Sequence, residues 1–242
     1  MDRALVCGAK GRAFDSHRAH QKYLFQVISR IQIMNPPCTL YIVRHGETER
    51  NIQEVMSGQQ ETALTQNGIE QAKKLGREFK DIIFDAIYAS DLTRAQITAS
   101  FIKGARKDAI QIEKNLRERF YGKFEGQPQS TYFEALEKEL LKMSGPTEAA
   151  RWNIKLVPEM ESRAEVADRF SKAIKTIAKN HRDKKILVVS HGGCISSFLV
   201  YLGQYKSEQL PFGAVSNCGY LKILCDGKNF KVLEIKGVKT VA

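Results

Sequence analysis

Two short runs of apolar, largely β-branched residues constrain the fold of this chain more than any other feature. The first run is Cys38–Val43 and the second is Ile186–Val189. Neither run alternates with polar residues, which is typical of strands covered on both faces in a parallel sheet. His45 follows the first run closely and His191 follows the second, and each histidine precedes a glycine. Because ligands bind beyond the carboxyl ends of such strands, both histidines stand where chemistry is expected.

Helical and extended segments alternate along the rest of the chain. Thr65 is expected to cap an amphipathic helix, Ser90 or Asp91 to cap a second, and Glu161–Asn180 has the apolar spacing of a third, longer one. The other expected elements are strands at Ala86–Ala89 and Ile110–Ile112, helices between Gln129 and Trp152 broken at Ser144-Gly145-Pro146, and a hairpin of Tyr220–Leu224 and Phe230–Ile235. This order predicts an α/β fold, a three-layer α/β/α sandwich with a mostly parallel central sheet and a small helical cap at about 127–160.

Residues 1–33 differ from the rest of the chain in charge. They carry six lysines and arginines against two aspartates. An arginine-rich, acid-poor leader is typical of an organelle transit peptide, and the alternative is a poorly ordered extension before a functional start at Met34. We therefore predict a basic extension, poorly ordered or a leader, and a catalytic domain over 34–242. The expected location is cytoplasmic, or organellar if the extension is a transit peptide.

The net charge of +11 raises the question of a nucleic-acid partner. The basic residues are scattered among glutamates, as on solvated helix faces, and no zinc-ligand spacing or RNA-binding signature occurs. No apolar stretch is long enough to cross a bilayer. Five cysteines without a Cys-x-x-Cys pair favour a reducing compartment. We expect a small anionic substrate, no nucleic acid and no membrane, and monomer and homodimer both stay open.

Arg44 stands next to His45, and its charge helps to decide whether the histidines bind a metal ion or act on phosphate. A fixed cation disfavours the binding of a metal ion beside it. A planar guanidinium group instead grips phosphate through parallel hydrogen bonds and keeps its charge. Gly192 and Gly193, at the start of a predicted helix, let backbone N–H groups approach an oxyanion. The residues therefore favour phosphate as the group on which the site acts.

The segment Leu40–Thr48, with Asn51 after it, resembles the signature of the histidine phosphatase superfamily, also called the phosphoglycerate mutase-like family. The resemblance runs from about Cys38 to the C-terminus, in order. Its further motifs are Leu64-Thr65-x-x-Gly68 with Gln71-Ala72, Ser90-Asp91-Leu92-x-Arg94-Ala95 with Thr98-Ala99, Leu116-x-Glu118 with Gly122 and Glu125-Gly126, Glu161-Ser162, and Val189–Gly193. Five separated motifs are far more specific than one Arg-His-Gly tripeptide.

The resemblance implies roles for the matching residues. His45 would attack phosphorus and carry a phosphohistidine, while Glu118 would protonate the leaving oxygen and then activate water. Arg44, Arg94 and His191 would neutralise the phosphoryl oxygens. The family uses no metal, so neither a metal ion nor another cofactor is expected. The expected substrate-binding residues are Arg44, Asn51, Ser57, Gly58, Arg94, Arg119, Tyr121 and Gly192.

Some neighbouring residues have a second interpretation. Glu125 is the alternative acid, but a leucine two residues before Glu118 and a glycine four after it favour Glu118. Asp91 is interpreted as capping its helix and bracing Arg94. Arg119 and Tyr121 either contact substrate or pack at the pocket wall. Phe133 and Trp152 are interpreted as core of the cap.

The expected function is hydrolysis of a phosphomonoester, a small phosphorylated metabolite, as in the phosphatase branch of the family. A cofactor-dependent phosphoglycerate mutase is the alternative, because Glu118-Arg119-x-Tyr121 is close to the mutase form of the motif. The stretch between Glu118 and His191 that could cover the site is short, so water should reach the phosphohistidine, which favours hydrolysis. A catalytically inactive binding module is the third hypothesis.

Overall fold

The structure, a computed structural model, describes residues 20–22, 36–105, 107, 109–143 and 145–241. The chain divides into two compact units, Met1–Pro36 and Pro37–Ala242, and the motifs all lie in the second unit. The predicted extension at 1–33 lies almost entirely outside the described residues, so it stays a prediction.

The described residues form a sheet of six strands. Their bounds are β1 Cys38–Arg44, β2 Ala86–Ala89, β3 Ile110–Ile112, β4 Lys185–Ser190, β5 Val215–Cys225 and β6 Phe230–Val238. The strand order is β3-β2-β4-β1-β5-β6. The first four strands in that order pair in parallel, and β5 and β6 are antiparallel. The prediction of a mostly parallel sheet is therefore confirmed.

Seven α-helices lie in the described residues from Pro36 onward. They are α1 Glu49–Ile52, α2 Gln66–Glu78, α3 Thr93–Lys103, α4 Gln129–Leu141, α5 Glu148–Asn153, α6 Arg163–Asn180 and α7 Gly192–Tyr201. Short 3₁₀ helices cover Lys114–Leu116, Gly122–Phe124 and Ser207–Gln209. Within the same described residues, no helix combines the length and the apolar character needed to cross a membrane.

The helix starts agree with the prediction from the sequence for α2 and differ from it for α6 and α3. Thr65 caps α2, as predicted, because its hydroxyl accepts from the N–H of Gly68. Helix α6 begins two residues later than predicted, since Ser162 and Glu165 form a capping box. The prediction for α3 is wrong: neither Ser90 nor Asp91 is its N-cap residue, and Leu92 at that position makes no side-chain cap bond.

Alternate residues of the central strands bury into two separate cores. In β1, Leu40 and Ile42 pack in a core with α6 and α7, whereas Tyr41 and Val43 pack in another with α2 and α3. This follows from the period of two along a strand. Each fully buried aliphatic side chain contributes about 1.5–3 kcal/mol. Helices on both faces confirm the predicted three-layer α/β/α sandwich.

A third apolar cluster joins the cap to the catalytic layer. Met56, Tyr121, Phe124, Tyr132 and Met160 are buried in it. Tyr132 belongs to α4, and its ring lies 5.3 Å from the ring of Tyr121 and 5.6 Å from that of Phe124 in edge-on contacts. The small helical cap therefore packs on the segment that comes after Glu118.

Candidate active site

The sheet register brings the two histidines together. Arg44 and Ser190 are paired at the carboxyl ends of the neighbouring parallel strands β1 and β4. The N–H of His45 donates to the Ser190 carbonyl at 3.0 Å. The rings of His45 and His191 lie 5.1 Å apart at 60°, and both are buried. The two strand ends thus place the residues after them in direct contact.

The contacts of His45 determine which ring nitrogen can react. Nδ1 lies 2.7 Å from the carbonyl oxygen of Gly46. A carbonyl oxygen only accepts, so Nδ1 carries the proton and donates it. Burial lowers the pKa of His45 well below 6.5, and the cations of Arg94 and Arg44 lower it further. A neutral ring protonated on Nδ1 keeps the lone pair of Nε2 free for attack.

Two guanidinium groups lie close to His45, that of the half-buried Arg44 and that of the buried Arg94. Arg44 donates from Nη1 to the carbonyl of Val215 at 2.5 Å. Arg94 donates to the carbonyls of Gln60 and Gly58 at 2.8 and 2.6 Å. Burial lowers the pKa of both groups, while the charge of Glu118 opposes that effect. These backbone bonds fix the two cations and leave the Nε of each without a partner.

Unpartnered nitrogens concentrate around this histidine pair. Among the described residues, buried side-chain nitrogens without a hydrogen-bond partner are Nε of Arg44, Arg94 and Arg151 and both ring nitrogens of His191. A buried donor left unpaired costs about 1–3 kcal/mol, so such groups need an explanation. A phosphoryl group offers several acceptor oxygens and negative charge. The arrangement therefore suits a phosphoryl group held beside Nε2 of His45.

Glu118 lies against the start of α7. Its Oε2 accepts from the N–H of Gly193 at 2.9 Å and its Oε1 from the N–H of Arg119 at 2.7 Å. A Cβ at Gly193 would collide with the Glu118 carboxylate, so this approach requires glycine. The oxyanion that the Gly193 N–H contacts is thus a carboxylate of the protein itself.

Glu125 lies beside the Ser57-Gly58 turn and not at the start of α7. Its Oε1 accepts from the N–H groups of Gln59 and Tyr121 at 2.9 and 3.1 Å. Burial raises the pKa of Glu125. Gly58, at φ 50°, packs so closely on this carboxyl group that a Cβ would collide with it. Glu125 braces the Ser57-Gly58 turn, so Glu118 stays the predicted acid.

One cavity of about 320 Å³ joins these groups. All the predicted site residues except His191 line it: Arg44, His45, Asn51, Ser57, Gly58, Arg94, Glu118, Arg119, Tyr121 and Gly192. His191 packs against His45 instead. Its pKa is lowered by burial and then by Arg94, so it too is neutral. No group of three or more His, Cys, Asp or Glu side chains in the described part of the chain could hold a metal ion.

Two interpretations of single residues need correction. Asp91 does not brace Arg94: its carboxylate accepts from Nε and Nη2 of Arg117 at 2.7 and 2.6 Å. This fork lowers the pKa of Asp91 and ties the residues just before α3 to the Glu118 segment. Phe133 was expected in the core of the cap, but it lines the cavity and is 38% exposed. The sequence places Phe133 next to Tyr132, but it does not show which face of α4 lines the cavity.

Arg119 and Tyr121 both contribute to the wall. The Arg119 guanidinium lies 5.2 Å from the Tyr121 ring centroid, and its Nε donates to the carbonyl of Glu161 at 2.7 Å. Asn51 is held in part by Asn217, whose Nδ2 donates to Oδ1 of Asn51 and to the His45 carbonyl, both at 3.2 Å. Asn217 was not predicted from the sequence.

Arg169 is a second residue near the site that was not predicted from the sequence. It donates to both carboxylate oxygens of Glu161 at 2.7 and 2.8 Å. It also donates to the carbonyls of Arg117 and Glu118 at 2.8 and 3.0 Å. A signal was present, since Arg169 stands three residues after Val166 on the apolar stripe of α6. A charge at such a position indicates a buried partner.

Comparison with known proteins agrees with this geometry. Residues 40–236 match the histidine phosphatase superfamily (branch 1), and the chain belongs to that family. It is 31% identical to the adenosylcobalamin/alpha-ribazole phosphatase of Escherichia coli over 71% of this chain and 82% of the relative. It is 30% identical to the uncharacterized phosphatase PhoE of Bacillus subtilis, over 73% of this chain and 85% of the relative.

A solved structure of phosphoglycerate mutase from Bacillus anthracis is similar too. It superposes with a TM-score of 0.71 at 29% identity, over 84% of this chain and 94% of that one. The chain is thus similar both to relatives named as phosphatases and to a solved structure named as a phosphoglycerate mutase. The resemblance seen in the sequence motifs is confirmed at the level of the family.

Proposed function

We propose that this protein is a phosphomonoester hydrolase that acts through a phosphohistidine on His45. The observation that carries the proposal is the set of unpartnered nitrogens on Arg44, Arg94 and His191 around a histidine whose Nδ1 is bound to a carbonyl. Phosphoryl transfer depends chiefly on positioning and on charge stabilisation, and fixed arginines supply both.

In the first step the lone pair of His45 Nε2 attacks phosphorus. The bond from phosphorus to the ester oxygen breaks, and its electron pair stays on that oxygen. The carboxylic acid form of Glu118 donates its proton to the leaving alkoxide, which departs as an alcohol. Arg44, Arg94 and His191 donate to the phosphoryl oxygens throughout the transfer.

In the second step water attacks the phosphohistidine. The Glu118 carboxylate takes a proton from this water, the N–P bond breaks, and its electron pair returns to Nε2 of His45. Inorganic phosphate leaves, and both side chains regain their starting protonation states. The covalent intermediate divides one displacement into two easier ones.

Because the arginines supply the positive charge, we propose that the reaction needs no metal ion. Activity should survive an excess of chelator, and vanadate should inhibit by occupying the phosphoryl site. Loss of activity in chelator that magnesium or zinc restores would contradict this part of the proposal.

Phosphoglycerate mutase activity is the second candidate, favoured by the similarity to the Bacillus anthracis mutase and by Arg119 and Tyr121 on the cavity wall. A mutase must keep water from its phosphohistidine while the substrate reorients. In the described part of the cap, the α-helices are only Gln129–Leu141 and Glu148–Asn153. We therefore propose that hydrolysis outruns reorientation. 3-Phosphoglycerate with catalytic 2,3-bisphosphoglycerate tests this, since interconversion faster than any phosphate release would make the mutase the right function.

The central experiment is capture of the phosphoenzyme. A labelled phosphomonoester should give an acid-labile, base-stable adduct, and His45→Ala should abolish both adduct and turnover. His181→Ala is the matched control, because His181 bonds to the Tyr88 hydroxyl at 2.9 Å, away from the cavity lining. This control should retain the adduct. Undiminished turnover in His45→Ala would remove the proposal.

A further inference from the structure

The cavity continues beyond the phosphoryl site into a distal end with apolar walls. One wall is a stripe of α4: Phe133, Leu136 and Leu140 stand at the i, i+3 and i+7 positions and all line the cavity. The opposite wall is the segment 210–214, which includes Phe212. Residues at this spacing share one helix face, so α4 presents a continuous apolar surface to the cavity.

Two aromatic rings of this distal end are not buried by the protein. Phe133 is 38% exposed and Phe212 is 44% exposed. Their ring centroids lie 5.4 Å apart at 74°, an edge-on contact between the two walls. Apolar surface in contact with water costs free energy in proportion to its area. A ligand with an apolar portion would remove that area from water.

Two arginines near the distal end, Arg163 and Arg119, are occupied by the protein backbone, whereas Nε of Arg151, which also lines the cavity, has no hydrogen-bond partner. Arg163 donates from its two terminal nitrogens to the carbonyls of Ser207 at 3.4 Å and Leu210 at 3.2 Å. Arg119 donates to the carbonyl of Glu161 at 2.7 Å. These cations hold the wall segments in place. The distal surface is therefore formed by the apolar side chains of α4 and of the segment 210–214, with Arg151 beside them.

We propose that the substrates are phosphate monoesters of hydrophobic alcohols, whose apolar portion packs on the exposed surfaces of Phe133 of α4 and Phe212. The proposal rests on the hydrolase function above, because a phosphoryl group held by Arg44 and Arg94 directs its alcohol into the same cavity. That cavity size is within the range of small-molecule sites. The apolar walls select for chain length and aromatic bulk, and the phosphoryl end for the monoester.

A series of n-alkylphosphonates, from methyl to octyl, tests the apolar walls without turnover. Each methylene that enters the distal end should tighten the dissociation constant by up to about fourfold, measured by calorimetry. Phe133→Ala and, separately, Phe212→Ala should flatten this dependence. Glu134→Ala is the matched control, since Glu134 is the exposed neighbour of Phe133 on the same helix and should keep the full dependence.

Turnover of the matching n-alkyl phosphates separates this proposal from the hydrolase function. A flat binding series in a protein that hydrolyses these esters would overturn the apolar site and leave the hydrolase standing. A graded series without any turnover would overturn the hydrolase and support the apolar site. Equal dependence on chain length in the wild type and in both phenylalanine variants would overturn the proposal, because the chain would then bind elsewhere.

Discussion

The two ends of the cavity are built in different ways. At the phosphoryl end, His45, Arg94 and His191 are nearly or fully buried, and the backbone holds the histidine and the arginines through hydrogen bonds. At the distal end, Phe133 and Phe212 are more than a third exposed and contact other aromatic side chains: each other, Tyr132 and Tyr121. The first end is fixed by the register of two strands, the second by a helix packed on a loop.

This difference indicates where chemistry and selectivity reside. Groups that stabilise a transition state must be fixed before the reaction, because reorganisation costs free energy. Groups that bind the varied organic portions of substrates need apolar contact area more than exact orientation. A small change at the phosphoryl end should therefore cost rate on every substrate. A large change at the distal end should alter the preference among substrates.

Apart from the loss of the nucleophile His45, the largest effect should come from the acid at the phosphoryl end. Glu118→Gln removes the proton that the leaving alkoxide needs, and turnover of alkyl phosphates should fall about 10²–10⁴-fold. The loss on p-nitrophenyl phosphate should be much smaller, since its leaving group needs little protonation. Steady-state kinetics on the two esters measure this ratio.

Glu125→Gln is the matched control for that variant. Glu125 is the nearby carboxyl group that braces the turn at Gly58 through the N–H groups of Gln59 and Tyr121. Its variant should change both esters by the same factor. A selective loss on alkyl phosphates in Glu125→Gln, with none in Glu118→Gln, would make Glu125 the acid and reverse our assignment.

The phosphoryl end was predictable from sequence for a physical reason. Arg44 and His45 directly follow one strand and His191 follows another, so the parallel pairing brings them together without any further information. Local motifs likewise indicated Arg94 and Glu118. The fold itself followed from the periodicity of apolar residues in strands and helices.

The distal end was not predictable in the same way. Phe133 and Tyr132 are adjacent on α4, yet one lines the cavity partly exposed and the other is buried. Which face of a short helix packs inward depends on the helix orientation, and no local pattern specifies it. Asp91 shows the same limit, because its partner Arg117 lies far along the chain and was not expected.

A smaller loss of turnover should occur when the hydrogen bonds that position Glu118 are weakened. Arg169→Lys keeps the charge beside Glu161 but loses the planar fork that also holds the carbonyls of Arg117 and Glu118. We expect turnover of alkyl phosphates to fall about 10- to 100-fold, because small displacements of a catalytic group are costly. The loss on p-nitrophenyl phosphate should be smaller, as for Glu118→Gln.

The control for Arg169 is a lysine on the exposed face of the same helix. Lys172 pairs with Asp168 at 2.7 Å and its side chain is 72% exposed. Lys172→Met should therefore leave both rates unchanged. If Arg169→Lys lowers both esters equally, Arg169 supports only the fold, and the phosphoryl end does not depend on it for placing Glu118.

The smallest effect concerns stability and tests how strongly the phosphoryl end excludes water. Burial and nearby cations lower the pKa of both His45 and His191 below 6.5. In the unfolded chain these histidines titrate near that ordinary value, so below about pH 6.5 the unfolded state binds more protons than the folded one. The free energy of unfolding should fall as pH decreases through this window, by at most about 1.4 kcal/mol per pH unit for each histidine.

Urea unfolding between about pH 7.5 and 5 in phosphate-free buffer measures this dependence. The double variant His45→Gln/His191→Gln has no imidazole to protonate at the site, so its stability should depend less on pH than that of the wild type. An unchanged slope in the double variant would mean that both histidines titrate alike in the folded and unfolded states. The phosphoryl end would then be as open to water as the distal end, and the contrast between them would fail.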